Sequence, residues 1–555
     1  MPADAADSSQ TLPCVVQVGF AGSRRLFDDP VADPDEQRVW QEAIADHLAN
    51  TLRSEVPAKL RLAPHHFLCG ISQIASGADM LFAQACARLQ IPQRIFLPQP
   101  IEDYLAAVGS GGEPDFAPKE RAEAKRHLES AHVIQVVNVS QSVDRNDRFR
   151  ETNAEILRVS DVIICLQRED ASGSAGGTEE LRKRAEAIGT PVLEIRVAVQ
   201  DGQASCQNAW HLRSDQPFQP PTIPPPLDRL TFEAADQFPP TSEQYCAPLK
   251  ALGSTQAKAK QQLFQYSAAA IIGTHILATI LAACLPLSQW LAGPGPDASS
   301  GHSGGLVLLF LGLEIALLAA GLLIHQYLQR SKAARIWANA RVVAELARSI
   351  RAIQPRHIYL GHLFRLALPH RFRPLLRTLN VIHLRSTYGV RDNSSNAGGD
   401  RWKSHRDDYL RKRIEHQIRY YNEKLAKDTT RLHNCERMFM VFSWLALTAT
   451  AIKFIMLVAA TQTNRVMDPW PEVLGILAVV FPVLAVAGVS WASALDFEAR
   501  IETFQETLHH LKRQQELIKR ADTAAEFDKL LLETETVLLG ENANWFSRRA
   551  NTGVN

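Results

Sequence analysis

Apolar residues are laid out along this chain in two distinct ways. In the second half they merge into four long stretches, roughly 264–292, 305–328, 438–461 and 471–495, arranged as two pairs. Each is long enough for a helix to cross a bilayer, which takes about 20 apolar residues for ~30 Å of hydrocarbon. In the first half they form short runs instead: CVVQVGFAG, HHFLCGIS, QRIFLPQP, AHVIQVVNV, DVIICLQ and TPVLEIRV. Each such run reads as a buried strand. Between them, DEQRVWQEAIADHLANTLRSEV and GADMLFAQACARLQI have helical spacing. Strands alternating with helices predict right-handed βαβ units and a parallel sheet covered on both faces.

The expected organisation follows from these changes of pattern. Residues 1–12 are a polar tail, and 13–198 form the α/β domain. Residues 199–262 are a connector, with the Pro-rich PFQPPTIPPPLD as a semi-rigid spacer. Residues 263–390 hold the first span pair, 391–400 (RDNSSNAGGD) a mobile loop, and 401–555 the second pair. The membrane half reads as a duplication. Each copy has a polar helical lead-in, two spans and a departing charged helix whose apolar residues recur at three- and four-residue spacing. The fold class is therefore a Rossmann-like parallel-sheet domain plus an all-α membrane domain of four transmembrane helices with long cytosolic helices.

Charge sets the expected orientation. The net charge of +1 and the mean hydropathy of −0.13 average over two dissimilar halves. The segment 329–436 is rich in Arg and Lys. The connectors LAGPGPDASSGHSGG and TQTNRVMDPW carry between them only Arg465. The bias of positive charge toward the cytosolic side puts both termini in the cytosol. The polar start MPADAADSSQTL has no basic, apolar leader pattern. A multipass membrane protein is expected. The basic stretches HRFRPLLRTLNVIHLRS and RWKSHRDDYLRKRIEHQIRYY suit anionic lipid headgroups, and no nucleic-acid partner is expected. The eight cysteines are scattered without a C-x-x-C pair, so no metal site and no disulfide framework is indicated.

Three glycine-rich turns carry the candidate chemistry. The first holds Gly19, Phe20, Gly22, Ser23 and Arg24, where backbone N–H groups and a guanidinium suit a phosphate. The second holds Ser76, Gly77 and Asp79; Asp79 either caps the following helix or accepts a ribose hydroxyl. The third holds Gly176, Gly177 and Thr178, with Glu179 and Glu180 in the next turn. Those carboxylates either complement the helix dipole or, if a bound sugar is cleaved, supply the acid/base group. In a parallel sheet such turns gather at the carboxyl ends of the strands.

GFAGSRR, SGADMLFAQACARLQIPQRIFLP and SDVIICLQREDASGSAGGTEELRKRAEAIGTPVLEI resemble, in order and spacing, the SLOG superfamily, the Rossmann-like nucleotide-binding domains of the Smf/DprA and LOG branches. The hydrolytic LOG enzymes carry a Pro-Gly-Gly-x-Gly-Thr-x-x-Glu loop. Ser174-Ala175-Gly176-Gly177-Thr178-Glu179-Glu180 lacks the Pro and one intervening position. The resemblance thus implies a sensor of an ADP-ribose-like or cyclic nucleotide, with no other cofactor. The membrane half resembles the SLATT two-span modules. The resemblance rests on Trp337, Arg341, Glu345 and Arg348 in the first copy, and on Trp491, Arg500, Glu533, Glu535 and Trp545 in the second. It implies a pore-forming effector of bacterial antiphage or conflict defence in the bacterial inner (cytoplasmic) membrane; a pore of only four helices is narrow, so a homo-oligomer is expected. Within the spans, His275, Glu314 and Lys453 are candidate pore-lining residues, or Glu314 and Lys453 a pair between the halves. A nucleotide or NAD glycosidic-bond hydrolase on a membrane anchor, and a ligand-independent transporter or structural assembly, are the alternative readings.

Overall fold

The computed structural model describes residues 10–27, 34–108, 114–169, 177–200, 203–213, 217–223, 231–232, 240–291, 302–392, 401–463 and 470–551. The chain divides into two compact units. One comprises Met1–Pro248 with Ile353–Gly399, the other Leu249–Ala352 with Asp400–Asn555.

The first unit is the α/β domain. Its strands are β1 (Gln10–Thr11), β2 (Cys14–Gly22), β3 (His66–Ser72), β4 (Gln93–Leu97), β5 (Val133–Asn138), β6 (Val162–Arg168), β7 (Val192–Gln200), β8 (Gln203–His211) and β9 (Thr231–Phe232). Its helices are α1 (Pro34–Asn50), α2 (Val56–Lys59), α3 (Ala78–Arg88), α4 (Ile101–Leu105), α5 (Pro118–Leu128), α6 (Arg145–Val159) and α7 (Thr178–Ile188). Seven strands make one sheet in the order β5-β4-β3-β2-β6-β7-β8, and β1 pairs with β9 apart from it. All neighbours in the large sheet are parallel except β7 and β8. β2 is buried from Cys14 to Ala21 because helices cover both faces. Val18, Phe20 and Leu166 face α1 and α3, while Ala21, Ile163 and Cys165 face α6 and α7.

The predicted six parallel strands are present. The stretch read as a connector contains β8, β9 and the start of a long helix instead. β8 lies antiparallel to β7, from Gln200 opposite Gln203 to Val192 opposite His211.

A further helix belongs to this unit although it lies between the span pairs in sequence. α8 (Ser242–Leu291), α9 (His302–Arg330) and α10 (Ala333–Ile353) precede it, and it is α11 (Arg373–Asp392). β6 begins opposite Val18, so the earlier β2 N–H groups on that side have no strand to donate to. Side chains take over: the Val15 N–H donates to Thr378 Oγ1 (3.0 Å) and the Gln17 N–H to Asp161 Oδ2 (2.9 Å). Arg377 then pairs with Asp161 at 2.6 Å, and the Tyr388 hydroxyl donates to the Glu129 carbonyl at 2.6 Å. Leu375, Leu376, Leu379 and Ile382 are buried. The apolar side of HRFRPLLRTLNVIHLRS is thus used within this unit, which leaves only its polar side for the lipid contact expected of it.

The second unit is helical. It takes α8 from Leu249, then α9, most of α10, α12 (Arg401–Tyr409), α13 (Glu415–Thr463), α14 (Trp470–Ala494), α15 (Phe497–Lys519) and α16 (Ala524–Asn551). Four helical stretches are long and apolar enough to cross a membrane, and little of their apolar surface is covered by protein. α13 and α14 run antiparallel: Gly488 lies against Met438 and Gly475 against the Lys453 amine. α8 crosses α10 where Gly253 meets the Ala340 carbonyl, and α9 where Gly321 meets Thr274 and His275. Both second spans end at a non-glycine residue in the left-handed region, Lys332 (φ 48°) and Asp496 (φ 52°).

Candidate functional site

The strand order of the sheet reverses at β2, which lies between β3 and β6. A crevice outside the carboxyl ends of the strands forms at such a point. Candidates from the first two turns meet there. The Ser23 N–H donates to the Leu166 carbonyl at the end of β6 (2.9 Å), and the Ala78 N–H donates to the Ser23 carbonyl (3.1 Å). A Cβ on Gly22 would collide with Ala78. Gly77, at φ 85°, would collide with the Arg24 carbonyl. Glycine is required at both positions, at Gly77 by torsion as well as by space. The turn after β2, the β3–α3 turn and the end of β6 are thereby stitched together.

Two candidates from the same motif lie elsewhere. Phe20 is fully buried and stacks on Phe82 at 4.3 Å, and Gly19 sits in mid-strand against Ser160 and Ile163. Gly176 lies outside the described residues. Gly177 and Thr178 open α7.

Asp79 neither caps α3 with its side chain nor opens to solvent. Its Oδ2 accepts the Ala75 N–H at 3.2 Å, which fixes the turn before the helix. Burial raises its carboxyl to about 7, against the lowering effect of that hydrogen bond and of Arg24. Ser76 donates to Glu120 at 2.7 Å.

Arg24 is the centre of a cationic group that the sequence motifs do not display. It pairs with Asp115 at 3.1 Å, and its guanidinium lies 4.8 Å from the centre of the Phe149 ring. Arg145, from the first turn of α6, reaches the same carboxylate at 2.6 Å and the same ring at 5.5 Å. Two guanidiniums thus share one nearly buried carboxylate, which leaves excess positive charge at the rim. Arg148, also on α6, donates to Gln99. α6 starts here because Asp144 caps it, accepting the Asp147 N–H at 2.9 Å. The signal in the sequence was DRNDRFR, a cap followed by three arginines.

The carboxylates of α7 are engaged. Arg182 holds Glu179 at 2.7 Å and lowers its carboxyl to about 2. Glu180 lies 2.7 Å from Arg184 and 3.5 Å from Arg150.

The helical unit has a buried polar network of its own. Glu535 on α16 accepts two hydrogen bonds from Arg413 (2.9 and 2.8 Å) and one from the Tyr409 hydroxyl (2.8 Å). Arg413 also lies 4.0 Å from Glu345 of α10. Arg341 of α10 donates to Asn542 at 2.8 Å, approaches Glu541 at 3.5 Å and covers the Trp545 ring at 4.5 Å. Trp337 packs edge-on against Trp545 at 4.8 Å, and Arg500 pairs with Asp428 at 2.6 Å. Residues singled out separately in the two copies therefore meet in one seam that joins α10 to α12, α13 and α16.

Residues 409–545 match the family described as SMODS and SLOG-associating 2TM effector domain 1. No curated protein and no solved structure matches the chain. The matched segment holds the second span pair and the Arg413, Glu535 and Trp545 contacts. Together with the four apolar helices it makes this a membrane protein.

Of the candidates within the spans, only Lys453 lies in the matched segment. No ion pair joins it to Glu314 among the described residues; its amine lies over Gly475 of the neighbouring helix. His275 Nδ1 bonds the Ile271 carbonyl of its own helix at 2.8 Å. Among the described residues, no group of three or more His, Cys, Asp or Glu side chains is placed to hold a metal.

Proposed function

We propose that the chain is a membrane effector whose α/β unit binds a small phosphate-bearing nucleotide, ADP-ribose-like or cyclic, and whose spans respond by opening or assembling a pore in bacterial antiphage or conflict defence. The observation that carries the reading is the meeting of Gly22, Ser23 and Gly77 with the end of β6, where the sheet order reverses, beside Arg24 and Arg145 sharing Asp115. Paired guanidiniums recognise phosphate bidentately. The family description of residues 409–545 supplies the effector half.

Chain continuity offers a route between the halves. α8 is one helix of 50 residues. Its first turns are tied to the α/β unit: the Ser242 N–H donates to Ser386 and the Tyr245 hydroxyl to the Pro13 carbonyl, next to the start of β2. The same helix continues into the first apolar span. A ligand biases the spans only as far as it prefers one state over the other, by a few kcal/mol.

Glu179 and Glu180 are paired with arginines, which favours a receptor over a glycosidic-bond hydrolase. The experiment is a thermal-shift screen of the full chain in detergent with ADP-ribose and cyclic nucleotides, followed by dye leakage from liposomes. A ligand at 100 times its Kd adds ~2.7 kcal/mol of stability. Absence of any shift removes the receptor reading. Base release that Glu180→Ala abolishes replaces it with the hydrolase.

A further inference from the structure

β8 is an edge strand of the large sheet, and among the described residues nothing blunts or covers it. It aligns residue for residue with β7, Val192 opposite His211 through Gln200 opposite Gln203, with no bulge. Its nine residues, QASCQNAWH, include no Lys, Arg, Asp, Glu or Pro. Natural sheet edges are ordinarily blunted by such residues or by bulges. Among the described residues, no backbone hydrogen bond reaches its outer side.

The strand is also held firmly in place. On the inner face, Trp210 Nε1 donates to Glu55 at 2.7 Å and Asn208 bonds His47 at 2.9 Å, while Ala204, Cys206 and Trp210 pack on the core. On the other face, Gln203, Ser205, Gln207 and Ala209 are exposed. A straight, fixed and uncharged edge is a template for another strand.

We propose that β8 pairs antiparallel with β8 of a second copy of this chain, about a two-fold axis at Gln207. The sequence is self-complementary in that register. Gln207 faces its own copy, Ser205 faces Ala209, Cys206 faces Asn208, Ala204 faces Trp210 and Gln203 faces His211. No like charges oppose one another at neutral pH, and all nine residues are paired. The two sheets become one continuous sheet, and the isologous contact closes as a dimer.

The test is disulfide trapping of the full chain in detergent, in a Cys206→Ser background. Residues directly opposed across an antiparallel pair have Cα atoms ~4.5–5.5 Å apart, within reach of a disulfide. Gln207→Cys is expected to form a covalent dimer by itself. Ala209→Cys alone is not, because its two copies lie four residues apart along the strands, about 13 Å. Ser205→Cys mixed with Ala209→Cys is expected to crosslink. Gln207→Lys, an exposed change that leaves the melting temperature in place, is expected to prevent crosslinking of Ser205→Cys with Ala209→Cys. Two outcomes overturn the proposal: no dimer from Gln207→Cys, or equal self-crosslinking at 207 and 209, which marks random collision.

Discussion

Arg413 holds Glu535 by two hydrogen bonds, at 2.9 and 2.8 Å, in a place where Glu535 has no exposed surface. Taking two charges out of water is costly, and only their mutual pairing makes the site tolerable. Removing one partner strands the other. Arg413→Leu or Glu535→Leu alone is expected to cost roughly 3–5 kcal/mol, whereas the double change to leucine costs much less. Denaturant unfolding of the full chain in detergent reads the difference as a double-mutant cycle. Additive losses would mean that the pair is not the unit.

Arg24 and Arg145 compete for Asp115, and a bound phosphate would relieve that competition. Replacing either arginine by Ala is expected to weaken nucleotide binding by about 10- to 100-fold, the range of one to two charge-assisted hydrogen bonds of 1.5–3 kcal/mol. Arg145→Lys is expected to recover little, since one ammonium cannot reproduce a bidentate fork. Calorimetry on the full chain checks both, and unchanged affinity in Arg24→Ala would remove Arg24 from the site.

Asp79 is an acid whose folded value, about 7, lies above its unfolded value near 4. Its contribution is fully present below pH 4 and is lost as pH rises through 7, where ionisation must occur in a buried place. Asp79→Asn keeps the acceptor for the Ala75 N–H and cannot ionise. It is expected to match the parent at pH 4 and to melt about 3 °C or more above it at pH 8, given ~2–4 °C per kcal/mol for a domain of this size. A pH series of melting curves measures it, and parallel curves would refute the burial argument.

Thr378 supplies an acceptor that the missing strand does not. Thr378→Val keeps the shape and leaves the buried Val15 N–H without a partner, at a cost of about 1–3 kcal/mol. Hydrogen exchange at Val15 is expected to accelerate while that at Ile163, bonded within the sheet, is unchanged. Equal acceleration at both would indicate global loosening instead.

Much of this was legible in the sequence, and the remainder had identifiable reasons to be hidden. The parallel strands were visible because burial on both faces makes each a continuous apolar run, as in VIICLQ. The spans were visible by length alone. β8 was not, because QASCQNAWH is made of small and polar residues with a single aromatic and has no apolar run to mark it. Arg24 was flagged by its glycines. Its neighbours Arg145, Phe149 and Asp115 were not, since they come from a separate helix and a separate loop and only the sheet topology brings them together. Arg341 and Glu535 were each noted within their own copy. Their shared seam depends on how α10 and α16 pack, which spacing within either helix does not encode.

The two left-handed residues at Lys332 and Asp496 give the membrane half an unusual kind of joint. Within each pair the first helix is an unbroken rod of 50 or 49 residues. The second has nearly the same reach but is cut once, into 29 and 21 residues or 25 and 23. Each elbow rests on an L-residue in a conformation that costs roughly 1–2 kcal/mol. The tilt of a span against its amphipathic arm is thus set by one torsion per copy. Straightening either joint would also pull α10 off Asn542 and Trp545, or α15 off Asp428, so each bend is held by the packing of its arm as well as by its own torsion.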